Sequence, residues 1–287
     1  MKYRFKSSLL LFLFLLSTPP PVLFKIIKKS REHLPKISTR VSKNGKFSGI
    51  ANDYLTQAIH IKGTMEPYFH EIVNILVNRN DIILDIGANI GTHSVILSRK
   101  SKLGKVYAFE PQSLTFSILQ NNILYNGLSN VIPLHYAITT LDNHAVSMDN
   151  FSFVGERVNN GALRLSPFKN NTIIGEVSLS RTIDSFNFKQ VNFIKMDIQG
   201  SEVMALAGAK RTIKKSRPIM FIEIEQIHLE ALGFTTIQLI EKIRSFQYVI
   251  YRINANSFVD HLCVPIEKVT TFEKRIKGKF SFTMTKI

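Results

Sequence analysis

Cysteine is nearly absent from this 287-residue chain: Cys263 stands alone. A single thiol excludes an intrachain disulfide and any cysteine-based zinc cluster. It says little about compartment, because a domain of this size buries enough surface to hold together without staples. A long hydrophobic run is missing too. The apolar stretch Leu9–Leu16 in "MKYRFKSSLLLFLFLL" is short of the roughly 20 apolar residues a membrane span needs, and Pro19, Pro20 and Pro21 interrupt any extension to Phe24. Three ligand motifs are lacking as well. No G-x-x-x-x-G-K-[ST] phosphate cradle, no G-x-G-x-x-G dinucleotide turn and no Asn/Asp-Pro-Pro-Tyr/Phe cup for a base amine occurs. Acidic residues are in deficit, with 21 against 37 Lys and Arg, for a formal net charge of +16.

That charge favours phosphates, anionic lipid or an anionic ligand, but the lysines are scattered, as on an ordinary solvated basic surface. The N-terminus is more pointed. Lys2, Arg4 and Lys6 precede the short apolar run, and no small-x-small cleavage site precedes the prolines. Residues 1–30 therefore read as an uncleaved, membrane-seated targeting or anchor segment, against the alternative of a buried apolar arm. Residues 31–49 read as a basic linker. Both flanks of the apolar run are basic, so charge does not choose the side of the membrane. The sequons at Asn150 and Asn170 do not choose it either.

Beyond the linker, hydrophobic periodicity organises the chain. "MEPYFHEIVNILV" predicts a helix with Phe69, Ile72, Val73 and Leu76 on one face. "DIILDI", "KVYAFE", "VIPLHYAI", "VNFIKMDI", "PIMFIEIE" and "YVIYRI" predict strands. "THSVILSRKS", "SLTFSILQNNILYNG", "SEVMALAGAKRTIKK" (with a serine cap) and "TTIQLIEKIRSF" predict helices between them. Strands alternating with helices of ten to fifteen residues imply an α/β domain over residues 50–255, a doubly wound, mostly parallel sheet with helices on both faces. The stretch 139–185 loosens into short β-like pieces expected to shape an acceptor pocket. Residues 256–287 read as a basic C-terminal extension that could add edge strands.

The stretch "DIILDIGANIGTHSV" (Asp81–Val95) carries the main chemical information. Its spacing is Asp85-x-Gly87-x-x-x-Gly91 after the first predicted strand of the domain. Asn89 stands where a dinucleotide turn needs its middle glycine and would crowd a pyrophosphate. What remains is similar to the S-adenosylmethionine loop of Rossmann-like methyltransferases. Asp85 at the strand end suits the amino-acid moiety, directly or through water, and the glycines let the chain pass beneath the ligand. Glu110 closes the next strand, where a carboxylate can accept both ribose hydroxyls. NAD enzymes use the same device, so Glu110 alone does not discriminate.

Further along, "VNFIKMDIQGSEVMALAGAKRTIKKSRPIMFIEIE" resembles the signature of the FkbM-type methyltransferase family, through Lys195, Asp197, Gln199, Gly200, Glu202, Gly208, Ala209 and Glu223. "GTMEP" before the first strand, "DIGANIG", "FEP", the spacing of Asn122 and Asn126, and "TIDSF" fit the same family, over about residues 53–253. The resemblance implies a Rossmann-like class I methyltransferase fold and S-adenosylmethionine as cofactor. Glu66, Asp85, Gly87, Asn89, Gly91 and Glu110 would make the cofactor site. The implied reaction is methylation of a hydroxyl on a sugar, glycan or other small-molecule or lipid-linked acceptor. Gln199 departs from the glutamate of many members, so no catalytic or metal role is assigned to it.

Displacement at a sulfonium needs positioning and removal of the hydroxyl proton. Asp197, at the end of its strand, is the first candidate base. Lys195, two residues earlier, could orient the acceptor or tune Asp197, against the reading of a structural ion pair. His228, in "EIEQIHLE" on the overhanging loop, is a further catalytic candidate, against a structural histidine. Glu223 and Glu225 alternate on one strand and could join Asp197 around a divalent cation, but no metal ligand is assigned. Glu202 reads as a helix-start acid favoured by the macrodipole, and His93 as a solvated or capping residue. Two alternatives stay open: an RNA ribose methyltransferase, prompted by the net charge, with nucleic acid as a less favoured partner, and a catalytically silent, membrane-tethered binding module.

Overall fold

The computed structural model describes residues 35–64, 66–148, 165–166, 176–255 and 260–287. The anchor segment 1–30, the sequons at Asn150 and Asn170 and much of the expected acceptor segment lie outside the described residues. Among the described residues, no helix is long and apolar enough to cross a membrane.

The domain opens with the hairpin β1 (Ile37–Ser42) and β2 (Gly45–Ile50), then α1 (Tyr54–Lys62) and α2 (Pro67–Leu76). Asp53 caps α1 by accepting from the Thr56 amide, and Pro67 begins α2 where its missing N–H costs nothing. Alternation of strand and helix follows: β3 (Ile82–Ile86), α3 (Thr92–Lys100), β4 (Lys105–Phe109), α4 (Ser113–Tyr125), β5 (Val131–Leu134) and β6 (Ala137–Ile138). Short strands β7 (Ala145–Met148), β8 (Leu165–Ser166) and β9 (Glu176–Arg181) form a side sheet with β6. The second half runs β10 (Phe193–Met196), α5 (Glu202–Ala207), α6 (Lys210–Ser216), β11 (Ile219–Glu223), α7 (Gln226–Ala231), α8 (Thr236–Ser245), β12 (Tyr248–Asn254), β13 (Asp260–Pro265), α9 (Val269–Ile276) and β14 (Thr283–Lys286).

The central sheet has the order β14-β12-β13-β11-β10-β3-β4-β5. Strands β5, β4, β3, β10 and β11 are parallel, while β13 lies antiparallel between β11 and β12. One apolar core packs on each face, the first around Leu84, Ile194 and Ile222, the second around Phe69, Ile83 and Phe221. The chain leaves β3 for β4 on one side and later returns to place β10 on the other. That reversal opens a crevice at the carboxyl ends of β3 and β10, where doubly wound sheets hold their ligands.

Three expectations need correction. Residues 37–50 are not linker but a hairpin whose Phe47 and Ile50 are buried against Ile59, Ile90, Val95 and Ile118. One buried face among lysines leaves too short an apolar pattern to read as strand. At the other end, β13 is buried along its whole length in the interior of the sheet, so the chain beyond 255 completes the domain, with β14 at the edge. Asp260 and His261 disguised that strand. Lastly, the helix expected over "SEVMALAGAKRTIKK" breaks at Gly208 and Ala209 into α5 and α6, and Ser201 makes no side-chain cap.

Candidate active site

A cavity of about 280 Å³ sits at the crevice. Its walls include Glu66, Gly87, Asn89, Glu110, Lys195, Asp197 and His228, so seven of the nine residues read from sequence meet there. Asp85 and Gly91 do not reach the wall. Asp85 is fully buried one layer below, where it accepts from Ser94 Oγ at 2.6 Å and lies 3.5 Å from Lys195 Nζ. It therefore sets the charge under the floor rather than touching a ligand. Gly91 is the left-handed N-cap of α3, turned toward Leu119.

The floor is tighter than the turn motif suggested. Gly87 has φ +80°, and a Cβ there would lie 1.9 Å from the carbonyl oxygen of Asp197. The glycine is thus required by the chain beyond β10, whatever ligand lies above. Lys195 Nζ donates to the Gly87 carbonyl at 2.6 Å, also spanning the two turns. Burial works against the Lys195 charge, but Asp85, Asp197, Glu66 and Glu223 outweigh it and raise its pKa. Lys195 is 2% exposed, so at the cavity wall it serves as an internal counter-ion to Asp85 and Asp197.

At the β4 end, Glu110 accepts from the amides of Asn89 (2.9 Å) and Gln112 (3.0 Å), one on each carboxylate oxygen. Each oxygen keeps a lone pair for a ligand hydroxyl. Burial pushes the carboxyl up to about 7 against the pull of those two amides. Asn89 itself sits at φ 51°, so it contributes its backbone at the cavity wall, while its side chain accepts from the Ile90 amide.

The opposite end is a net of side chains. Gln199, also left-handed at φ 54°, donates through Nε2 to Asp197 Oδ1 (2.7 Å) and Glu223 Oε2 (2.9 Å). Burial and then the adjacent Asp197 carboxylate push Glu223 up to about 11. Burial would raise Asp197 too, but Lys195, Gln199 and Glu223 outweigh it and hold Asp197 below its ordinary value. The two shifts run in opposite directions, so Asp197 is the more acidic carboxyl of this pair. Tyr68 donates to Asp260, which faces Glu223 across the β11–β13 ladder. Burial and Glu66 drive Asp260 well above its ordinary value. Sequence reasoning missed Tyr68 and Asp260. A polar Asp-His pair opening an otherwise apolar "DHLCVP" was the available clue.

His228 lies on the helix α7 rather than on a loop, with Nε2 2.9 Å from Glu225 Oε2. Glu223, Glu225 and His228 each offer a ligand atom within 4.8 Å of the others, so histidine replaces Asp197 in the expected carboxylate grouping. His93 is not simply solvated. Its Nε2 is 3.1 Å from Glu66 Oε2 and its ring lies 4.1 Å from that of Phe69. Glu202 does open helix α5, as read, but from inside the protein. It is buried, accepts from the Ile198 amide at 2.9 Å, and burial raises it to about 7.

Comparison with known proteins finds relatives among methyltransferases. A curated relative, the hexuronic acid methyltransferase AglP of Haloferax volcanii, is 28% identical over 159 residues, covering 54% of this chain and 61% of that protein. Methyltransferase 1 of Beauveria bassiana is 26% identical over 145 residues, 45% of this chain and 58% of its own. The matched stretches thus span about three fifths of the length of these relatives. The solved methyltransferase FkbM of Methylobacillus flagellatus aligns with TM-score 0.45 and 20% identity over 65% of this chain and 44% of its own. The description "Methyltransferase FkbM domain" matches residues 85–250, more than half of the chain. The chain belongs to the methyltransferase FkbM domain family.

Proposed function

We propose that this protein methylates a hydroxyl of a sugar or glycan, using S-adenosylmethionine as the methyl donor. The observation that carries the reading is the division of one cavity between Glu110 and the side-chain net around Asp197. Its donor groups fit the sulfonium ligand. Glu110 has spare lone pairs for the ribose hydroxyls, and the amides of Gly87, Ala88 and Asn89 are already bonded to Phe109 and Glu110, which leaves them no cradle for a pyrophosphate. Glu66 and Asp197 offer negative charge to the α-ammonium and sulfonium groups. The donor supplies an electrophilic methyl. The chain supplies orientation, exclusion of water and a destination for the acceptor proton.

A sugar acceptor is supported by the relative named for hexuronic acid. A lipid-linked form is supported by the chain path. The Ala51 amide donates to the Lys36 carbonyl, and Tyr54 and Leu55 line the cavity only a few residues on. A membrane-seated segment before residue 31 would thereby bring the cavity mouth toward lipid. The test is release of S-adenosylhomocysteine from purified full-length protein offered free and polyprenyl-linked monosaccharides. Turnover on any sugar hydroxyl is the expected result. Donor binding without turnover on any of them, alongside turnover on RNA, would replace this acceptor class. Calorimetry on the unmodified protein is expected to show S-adenosylmethionine binding, and no detectable binding would remove the donor assignment.

A further inference from the structure

We propose that the tip of the β1–β2 hairpin, with the ends of α1 and α4 beside it, is a docking surface for an anionic lipid bilayer. Hydrogen bonds draw these elements together. Asn44 in the hairpin turn donates to the Gly63 carbonyl at the end of α1, at 2.8 Å. Asn126, the C-cap of α4, holds the amide and the carbonyl of Lys46 at 3.1 and 2.8 Å. Arg99 near the end of α3 donates to the Asn44 carbonyl at 2.8 Å. The corner is therefore fixed by the fold. On it stand the three most exposed large apolar side chains among the described residues: Ile61 at 79%, Val41 at 78% and Leu124 at 75%. Each is close to one of those bonds. Ile61 lies just before Gly63, Val41 pairs with Lys46 across the hairpin, and Leu124 lies just before Asn126. Scattered singly, such side chains are ordinary; gathered at one corner from three elements, they mark a contact surface.

The charge around them has one sign. Lys43, Lys46, Lys62 and Arg99 are all exposed there. Residues 36–63, 92–105 and 113–130 build the corner and contain a single acid, Asp53, which is buried as the N-cap of α1. Aliphatic side chains ringed by cations suit a bilayer interface, where the first enter the acyl boundary and the second reach lipid phosphates. RNA would meet the cations but gains nothing from Val41, Ile61 and Leu124, which offer no ring to stack on. A second copy of the chain would bring like charges face to face. The surface also leads to the cavity. Tyr54 and Ile61 are seven residues apart and share one face of α1. Tyr54 is half exposed and lines the cavity, so an apolar stripe runs from the lipid contact to the site. This role differs from that expected of the run Leu9–Leu16: a seated N-terminal run tethers the chain, whereas this surface orients the domain.

The chain contains no tryptophan, so a single one introduced reports on its own surroundings. Val41→Trp, Ile61→Trp and Leu124→Trp are made one at a time in the full chain, with Ile237→Trp on α8, at a site 66% exposed, as the reference. Circular dichroism checks that each variant folds. Vesicles of mixed phosphatidylglycerol and phosphatidylcholine are expected to shift the emission of the first three to the blue and to leave Ile237→Trp unshifted. Pure phosphatidylcholine should require more lipid for the same shift. Adding Lys43→Gln and Lys62→Gln to Leu124→Trp should raise the lipid concentration at half-shift about 25-fold, or about fivefold for each cation lost. An unchanged half-point would remove the anionic partner and with it the proposal. Sedimentation with vesicles and no shift at any of the three positions would overturn it too, leaving the N-terminal run as the whole attachment. An equal shift at Ile237→Trp would mean general adsorption and have the same force. A shift that grows with protein concentration in the absence of lipid would give the surface to a second copy. A shift with RNA and none with vesicles would give it to nucleic acid, and either result replaces the bilayer. None of these readouts needs donor or acceptor, so their failure and that of the methyl-transfer reading are separate.

Discussion

The two ends of the cavity are built by opposite means. At the β4 end, Glu110 is held by two backbone amides from within a few residues of the strands it joins. At the β10–β11 end, Asp197, Glu223, Gln199, Asp260 and Tyr68 hold one another, and they arrive from α2, the ends of β10 and β11, and β13. Backbone donors are fixed by the fold and do not titrate, so one acid sits alone in a rigid frame. Side-chain partners exchange protons, so the other end behaves as a coupled set in which a change at one carboxyl moves its neighbours.

The largest expected effect strikes the floor both ends share. Gly87→Ala forces a Cβ into the Asp197 carbonyl at a left-handed position, which should cost about 3 kcal/mol or more and abolish donor binding. Thermal melting and calorimetry check it, and parental values for both would show that the ends are not joined there. Lys195→Met comes close behind. It leaves Asp85 and Asp197 without their cation, at a cost of about 3–5 kcal/mol, read as a drop in Tm of about 10 °C.

Glu110→Gln should act on one end alone. Donor affinity is expected to fall about 10- to 100-fold, with kcat at saturating donor preserved, because hydrogen bonds to a charged carboxylate are lost. The same variant tests the pH dependence. The folded pKa of about 7 exceeds the ordinary carboxyl value of 4.5, so the unfolded chain releases its proton first. Stability from this group is full below pH 4.5 and is lost as pH rises through about 7, amounting to about 3 kcal/mol. Glu202 titrates in the same window, so Glu110→Gln should reduce the fall in Tm between pH 5 and 8 without removing it. An unchanged slope would mean Glu110 is not buried as described. The smallest effect is expected from Asn126→Ala, far from both ends. Losing its contacts with Lys46 and Arg99 should cost about 1 kcal/mol and leave donor affinity alone.

The same contrast explains what could be read from sequence. The parallel strands, the glycine turn and Glu110 are local patterns, each legible within a dozen residues. Lys195 and Asp197 were legible as important, but their roles were not. Whether a lysine orients an acceptor or neutralises a buried pair depends on Asp85 and the Gly87 carbonyl, more than a hundred residues away in the chain. Tyr68 and Asp260 meet only because β13 inserts between β11 and β12, a pairing that no hydrophobic period announces.

Asn122 on α4 holds the Ser48 amide at 2.7 Å, the Ser48 carbonyl at 2.9 Å and the Ile90 carbonyl at 2.8 Å, all inside the protein. One amide side chain thus stitches the hairpin to the loop that carries Asn89. Trimming this protein to a shorter form should therefore keep everything from about residue 36 onward. A cut at residue 50 would discard a wall of the building along with its porch, leaving the two bonds of Asn122 to Ser48 unmade and the loop beside Asn89 without its tie to the hairpin.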